Sequence, residues 1–233
     1  MIPWILLDSA KVPGGSAALR LLRRGAEFSI RLDTAELMNS RLNGSEQALA
    51  DLACARLRDR TAPHVLIGGL GMGFTLRAAL AALGPQARCT VAELVPAVVA
   101  WARGAMAELF GDSLGDPRVT IREEDVVGLI RSARAGYDAI LLDVDNGPDG
   151  LSRKANDRLY DATGLAAARL ALRPGGVLAL WSAAPDATFT RRLRKAGFAA
   201  EEVRVRANGA RGGARQVIWI ATSPGPAAPG DQA

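Results

Sequence analysis

Several residue types are scarce in this chain, and each scarcity narrows what the protein can be. Cysteine occurs twice in 233 residues, as Cys54 and Cys89. The two lie far apart with no paired metal-ligand spacing, so they read as ordinary buried thiols rather than a disulfide or a metal site. Histidine occurs once, as His64. It precedes an apolar run, away from the end of a strand where a ligand would sit, and no Gly-x-Ser-x-Gly turn accompanies it, so a Ser-His-Asp hydrolase is not indicated. Aromatic residues make up 5% of the chain, and lysine stands only at Lys11, Lys154 and Lys195. No stretch approaches the roughly 20 apolar residues of a membrane span, and the N-terminus lacks a basic region followed by an apolar signal core. A cytoplasmic protein with no membrane partner is expected.

What is present is globular in composition, at 49% hydrophobic and 23% charged. The length suffices for one large domain with a small appendage. The formal charge is +5 and is carried almost wholly by arginine. Because the arginines are scattered and not interleaved with aromatics, a solvated surface is expected and nucleic acid is not an expected partner.

The chain is organised around His64-Val65-Leu66-Ile67-Gly68-Gly69-Leu70-Gly71-Met72-Gly73. An apolar run ends in a glycine cluster and passes directly into a helix-forming run, the pattern of a buried parallel strand turning into a helix beside a nucleotide-like ligand. Residues 1–42 read as a small β segment with strands at 4–7, 17–22 and 27–32, too little to be stable alone. Asn43-Gly44-Ser45-Glu46 reads as a helix start, Asn43 capping and Glu46 three residues on. From residue 65 onward, strands (65–68, 89–92, 119–122, 138–142, 177–181) alternate with helices (74–83, 97–110, 126–134, 155–172, 187–196). Apolar strands in such alternation predict an α/β fold with a doubly wound, Rossmann-like parallel sheet. Strands 200–206 and 216–221 close the chain as an antiparallel hairpin at the sheet edge, which makes seven strands. This is the layout of class I S-adenosylmethionine-dependent methyltransferases. The main domain is placed at 43–222, and the Pro/Gly/Ala-rich residues 223–233 read as a disordered tail.

In that layout a ligand crosses the carboxyl ends of the first strands. Gly69, Gly71 and Gly73 would let it approach the backbone. Glu93, at the end of the next strand, would accept the ribose hydroxyls. Asp125 reads equally as an acceptor for an adenine amino group or as a helix N-cap. Past the fourth strand, Asp143-Val144-Asp145-Asn146-Gly147 brings polar groups to the cleft mouth. They are candidates for orienting an acceptor or taking its proton. The Asp143-x-Asp145-x-Gly147 spacing lacks the further acidic ligand of a calcium loop, so no metal is expected. Trp181 reads as core or as a wall of the acceptor pocket, and Trp101 and Met106 as core.

The ordered set of these motifs resembles the spermidine synthase family, the polyamine aminopropyltransferases. It comprises the β segment, Val65-Leu66-Ile67-Gly68-Gly69, Glu93-Leu94-Val95-Pro96, Asp116-Pro117-Arg118-Val119, the Asp143 loop and Leu172-Arg173-Pro174-Gly175-Gly176. The resemblance implies a site for S-adenosylmethionine or its decarboxylated form, with Glu93 on the ribose and Asp125 near the adenine. It also implies a homodimer or homotetramer, partly through the N-terminal sheet. Three departures fall on chemistry. Met72 stands where the family's glycine loop carries an aspartate for the aminopropyl amine. Asn146 stands where the family's loop carries a basic carboxylate, leaving Asp143 and Asp145 as the acidic candidates. The family's Tyr-His before the first helix is absent. Neutral Met72 removes both the attraction for an amine and the repulsion of a carboxylate, which favours intact S-adenosylmethionine. The sequence therefore leads to a methyltransferase acting on a small-molecule acceptor. An aminopropyltransferase with a relocated base and a non-catalytic nucleoside-binding module are the alternatives.

Overall fold

The computed structural model describes residues 2–143, 157–209 and 212–225. The chain opens with an antiparallel sheet of β1 (Ile5–Lys11), β2 (Ala18–Arg24), β3 (Glu27–Leu32) and β4 (Ala35–Asn39), in that spatial order. The sequence suggests three strands, and β4 is the addition. It was hidden because its one buried position is polar. Asn39 turns inward to donate to Glu36 Oε1 at 2.9 Å and to accept from the amides of Arg41 and Leu42. The sheet is not left to itself: Leu19, Leu21, Phe28 and Ile30 share one core with Leu49, Val65, Ile67, Met72 and Phe110. The Trp101 indole N–H also donates to Asp8 at 2.6 Å, joining β1 to the main domain.

The main domain follows the expected alternation. Its elements are α1 (Gly44–Cys54), β5 (His64–Gly68), α2 (Phe74–Ala82), β6 (Arg88–Ala92), α3 (Pro96–Arg103), α4 (Ala107–Phe110), β7 (Val119–Arg122), α5 (Val126–Ser132), β8 (Tyr137–Leu142), α6 (Asp157–Tyr160), α7 (Ala162–Ala171), β9 (Leu172–Ser182), α8 (Ala187–Lys195), β10 (Ala199–Arg206) and β11 (Arg215–Thr222). The strands lie in the order β10-β11-β9-β8-β5-β6-β7. β5 through β9 are parallel, and β8 is buried at all six positions, as a strand covered by helices on both faces must be. The closing hairpin places β11, not β10, inside the sheet: β11 pairs antiparallel with both β9 and β10. Val217 to Ala221 are buried accordingly, while the edge strand β10 carries Glu201, Glu202, Arg204 and Arg206, which discourage further pairing. This is the class I methyltransferase-like fold that the alternation and hairpin predict.

Local boundaries differ for stated reasons. The helix expected over 97–110 breaks at Gly104 into α3 and α4. The helix expected over 155–172 is interrupted at Asp161, whose carboxylate accepts from the Gly164 amide at 2.7 Å and so starts α7 afresh. Asn43 makes no side-chain cap to α1, and Glu46 does not reach back to it. The start of the expected tail is held in place: the Ser223 amide donates to the Gly176 carbonyl at 2.8 Å, and Ser223 is buried. Cys54 and Cys89 are both free and buried, with burial pushing their thiols up to about 12 and about 11. Among the described residues no helix is long and apolar enough to cross a membrane.

The cap at Asp161 is testable. Asp161→Ala removes the acceptor of the Gly164 amide and should cost about 1 kcal/mol of unfolding free energy, read from the urea midpoint at unchanged slope.

Candidate functional site

The ends of three neighbouring strands make the site. β6, β5 and β8 lie side by side, and past their carboxyl ends come Glu93, the glycine turn and Asp143 respectively. Together they line a cavity of about 460 Å³, closed on its far side by Leu19, Ile30, Leu37 and Met38 of the small sheet. The turn needs glycine for two separate reasons. Gly73 has φ +76 and lies so close to the Phe110 ring that a Cβ would sit 2.3 Å from it. Gly71 has φ +49, with the Met38 sulfur 3.0 Å from where its Cβ would be. The small sheet therefore closes directly over the turn.

Glu93 is 7% exposed. One carboxylate oxygen accepts from the Leu70 amide at 2.9 Å and the other from the Val95 amide at 2.8 Å. Burial raises its pKa, and the backbone amides around it offset part of that rise. The Gly71 and Leu94 amides also act on the carboxylate, which lines the cavity. Asp125 satisfies its helix-cap reading: its side chain accepts from the Val127 amide at 2.9 Å at the start of α5. It also lines the cavity. His64 lies outside the cavity, bonding Thr90 Oγ1 at 2.9 Å and facing the Gly136 carbonyl, with its pKa lowered by burial. Trp101 and Met106 are core, as read.

At the other end, Asp143 accepts from Thr75 Oγ1 at 3.0 Å. Beside it stands a carboxylate that the sequence reading assigned only to a helix cap. Glu46, in the first turn of α1, lines the same cavity and accepts from Ser45 Oγ at 2.6 Å. Burial, together with the negative charge of Glu46, pushes the Asp143 carboxyl up to about 7. Burial raises Glu46 as well. Among the described residues neither has an ion-pair partner, although the chain is rich in arginine. Met72 lines the cavity but is 2% exposed, presenting an uncharged thioether flank. Trp181 and Gln216 complete the wall near the terminal hairpin. Asp145 and Asn146 lie outside the described residues, as do Gly147 and Asp149. The signal that could have found Glu46 was positional: it falls in the segment that replaces the family's Tyr-His.

No family model matches the sequence. Over 147 residues it is 33% identical to a polyamine aminopropyltransferase of Mycobacterium tuberculosis, a match covering 59% of this chain and 27% of that protein. It is 31% identical over 153 residues to polyamine aminopropyltransferase 1 of Streptomyces coelicolor, covering 61% of this chain and 28% of that one. The chain thus spans little more than a quarter of the curated relatives it matches. Among solved structures, spermidine synthase from Thermotoga maritima superposes with a TM-score of 0.74 at 18% identity, covering 93% of this chain and 72% of that one. A spermidine synthase in complex with the transition state analogue AdoDATO gives 0.72 over the same shares. The chain is spermidine-synthase-like. Its spermidine-synthase-like relatives are named for aminopropyl transfer, so the expectation of methyl transfer finds no support among them, and the aminopropyltransferase alternative finds more.

The raised Asp143 carboxyl fixes a pH dependence. Its pKa is near 7 folded against 3.8 in an ordinary setting. The stability it contributes is therefore complete below about pH 4 and is lost as pH rises through 7. Asp143→Asn keeps the acceptor for Thr75 and cannot ionise. It should leave the melting temperature nearly unchanged at pH 4 and raise it at pH 8, by roughly 2–4 °C per kcal/mol of relieved charge burial. Equal shifts at both pH values would contradict the assignment.

Proposed function

We propose that this chain is a group transferase that moves the aminopropyl group of decarboxylated S-adenosylmethionine to a small amine acceptor. The observation that carries this reading is the placement of Glu93 and Asp143 on one cavity, flanking the glycine turn from the ends of adjacent strands. The residues present fit such a donor. Glu93 would meet the ribose hydroxyls with a carboxylate oriented by backbone amides, Asp125 lines the same cavity for the adenine, and the turn is open to close backbone approach.

The donor substrate supplies a carbon made electrophilic by its sulfonium. The amine nitrogen forms the new C–N bond as the C–S bond breaks with its electron pair going to sulfur, and the nitrogen sheds one proton. Asp143 is the group suited to take it. A carboxyl near pKa 7 is a competent base at neutral pH, where an ordinary aspartate is too weak. This chain carries Met72 and Asn146 where the family pattern has carboxylates, and Asp143 and Glu46 are the acids that line the described cavity instead. Assembly as a homodimer or homotetramer through the small sheet is supported by the exposed Ile2, Ile5, Leu6 and Leu7.

One observation favours a second reading. Met72 offers no charge to a donor amine, so methyl transfer from intact S-adenosylmethionine, resting mainly on in-line positioning of the acceptor, is the other reaction this cavity suits.

Incubation with decarboxylated S-adenosylmethionine and butane-1,4-diamine, followed by mass spectrometry, tests the proposal. Expected are 5′-methylthioadenosine and the aminopropylated amine in equal amounts, with Glu93→Ala weakening donor binding by about tenfold or more. S-adenosylhomocysteine formed from intact S-adenosylmethionine, with no aminopropyl product, would move the assignment to the second reading. Binding of neither nucleoside would defeat both.

A further inference from the structure

The arginines that are scattered along the sequence do not stay scattered in the fold. Helices α7 and α8 cover one face of the sheet, and neither contains an acidic residue. α8 buries Phe189 and Leu193 in the core that holds Trp219 of β11, and leaves Arg191, Arg194 and Lys195 exposed. Arg169 of α7 lies close to Gly197 at the end of α8, so the two helices share one cationic surface. The closing hairpin extends it. Val217 and Trp219 of β11 point to the α8 side, so Arg215 points there too. Arg206 pairs with Arg215 and Arg204 with Val217, which puts both on the same face.

Two observations separate this face from an ordinary solvated one. Its acids are spent: Glu202 sits 3.9 Å from Arg204, and Asp161 and Asp186 accept the amides of Gly164 and Thr188 as helix caps. Among the described residues, Arg169, Arg191, Arg194, Lys195, Arg206 and Arg215 make no ion pair. Arg206 and Arg215 also stand directly opposite each other on the β10–β11 ladder, where like charges destabilise a sheet. A fold that keeps this repulsion holds positive potential on an exposed surface, and an anionic surface relieves it.

We propose that this face docks the phosphate backbone of duplex DNA. Guanidinium forks bind phosphate oxygens in bidentate fashion. Single strands need aromatic stacking platforms, and the aromatic residues packed here, Phe189, Phe198 and Trp219, are all buried. Leu170, at 52% exposed, is the one large apolar side chain exposed on α7 and α8, too little for the apolar centre of a protein interface. Duplex RNA is recognised through 2′-hydroxyls across its minor groove, and the exposed Ala166 and Ala187 offer those no polar side chain. Docking here is independent of the transferase reading, because the cavity takes no lining residue from α7, α8 or β10.

Fluorescence anisotropy of the whole chain with a labelled DNA duplex, across a potassium chloride series, tests the proposal. The logarithm of affinity should fall against the logarithm of salt with a slope of about −4 or steeper, as roughly five phosphate contacts imply. Arg206→Gln with Arg215→Gln, and separately Arg191→Gln with Lys195→Gln, should each weaken binding roughly tenfold and flatten the slope by about 2. The first pair should melt no lower than wild type, since it relieves the cross-strand repulsion. Arg58→Gln with Arg103→Gln removes as much charge from exposed positions outside this face and should leave binding within about twofold. An equal loss in that control overturns the proposal, as does binding without salt dependence or no binding at all. Equal or tighter affinity for single-stranded DNA or duplex RNA, or capture only by phosphatidylserine vesicles, overturns the assignment to duplex DNA.

Discussion

The site depends on one carboxylate held by two backbone amides. Glu93, at the end of β6, accepts from Leu70 in the glycine turn and from Val95 at the start of α3. Those bonds tie the exits of two adjacent parallel strands together at the point where the sheet has no further ladder hydrogen bonds to offer. The cost of burying the charge is offset by these donors, which explains how an acid 7% exposed is tolerated in the middle of the domain. Fixing the turn in turn fixes Gly71 beneath Met38 and Gly73 against Phe110. The small sheet and the glycine-turn side of the cavity are thereby set in register by a single side chain.

The other end of the cavity follows the opposite logic. Asp143 and Glu46 each receive a hydroxyl donor and, among the described residues, no ion-pair partner. One end holds a carboxylate that the fold has already satisfied, and the other holds carboxylates that the fold leaves wanting a proton or a positive charge. That asymmetry separates a carboxylate held by the backbone from carboxylates able to exchange protons.

Much of this was legible in the sequence because parallel strands covered on both sides read as uninterrupted apolar runs, as 65–68 and 138–142 do. The glycine turn, Glu93 and Asp143 could be placed on the cavity because each follows such a run directly, whereas Asp125 was read from its place between β7 and α5. β4 was missed because its buried position is Asn39, whose inward side chain defeats an alternation count. Glu46 was misread because an Asn-x-x-Glu spacing at a helix start has a local explanation, a cap, that competes with a long-range one. Only packing decides between them: α1 turns Glu46 toward Asp143, nearly a hundred residues away in sequence. Gln216 carried no signal at all, since its place on the cavity wall depends on β11 entering the sheet between β9 and β10.

That insertion governs when the cavity can exist. Its walls come from residues as early as Val12 and as late as Gln216, and the last wall is set only when β11 slides between two strands that precede it in the chain. Bringing wall residues from near the two ends of the chain together carries a loop-closure cost that is met only when both the small sheet and the terminal hairpin have docked. An intermediate with β5 to β9 assembled would already present the glycine turn and Glu93, yet lack the partition beside Trp181. The cavity would then mature in two stages during folding, its glycine-turn end first and its hairpin end last, so that its closure reports completion of the whole sheet.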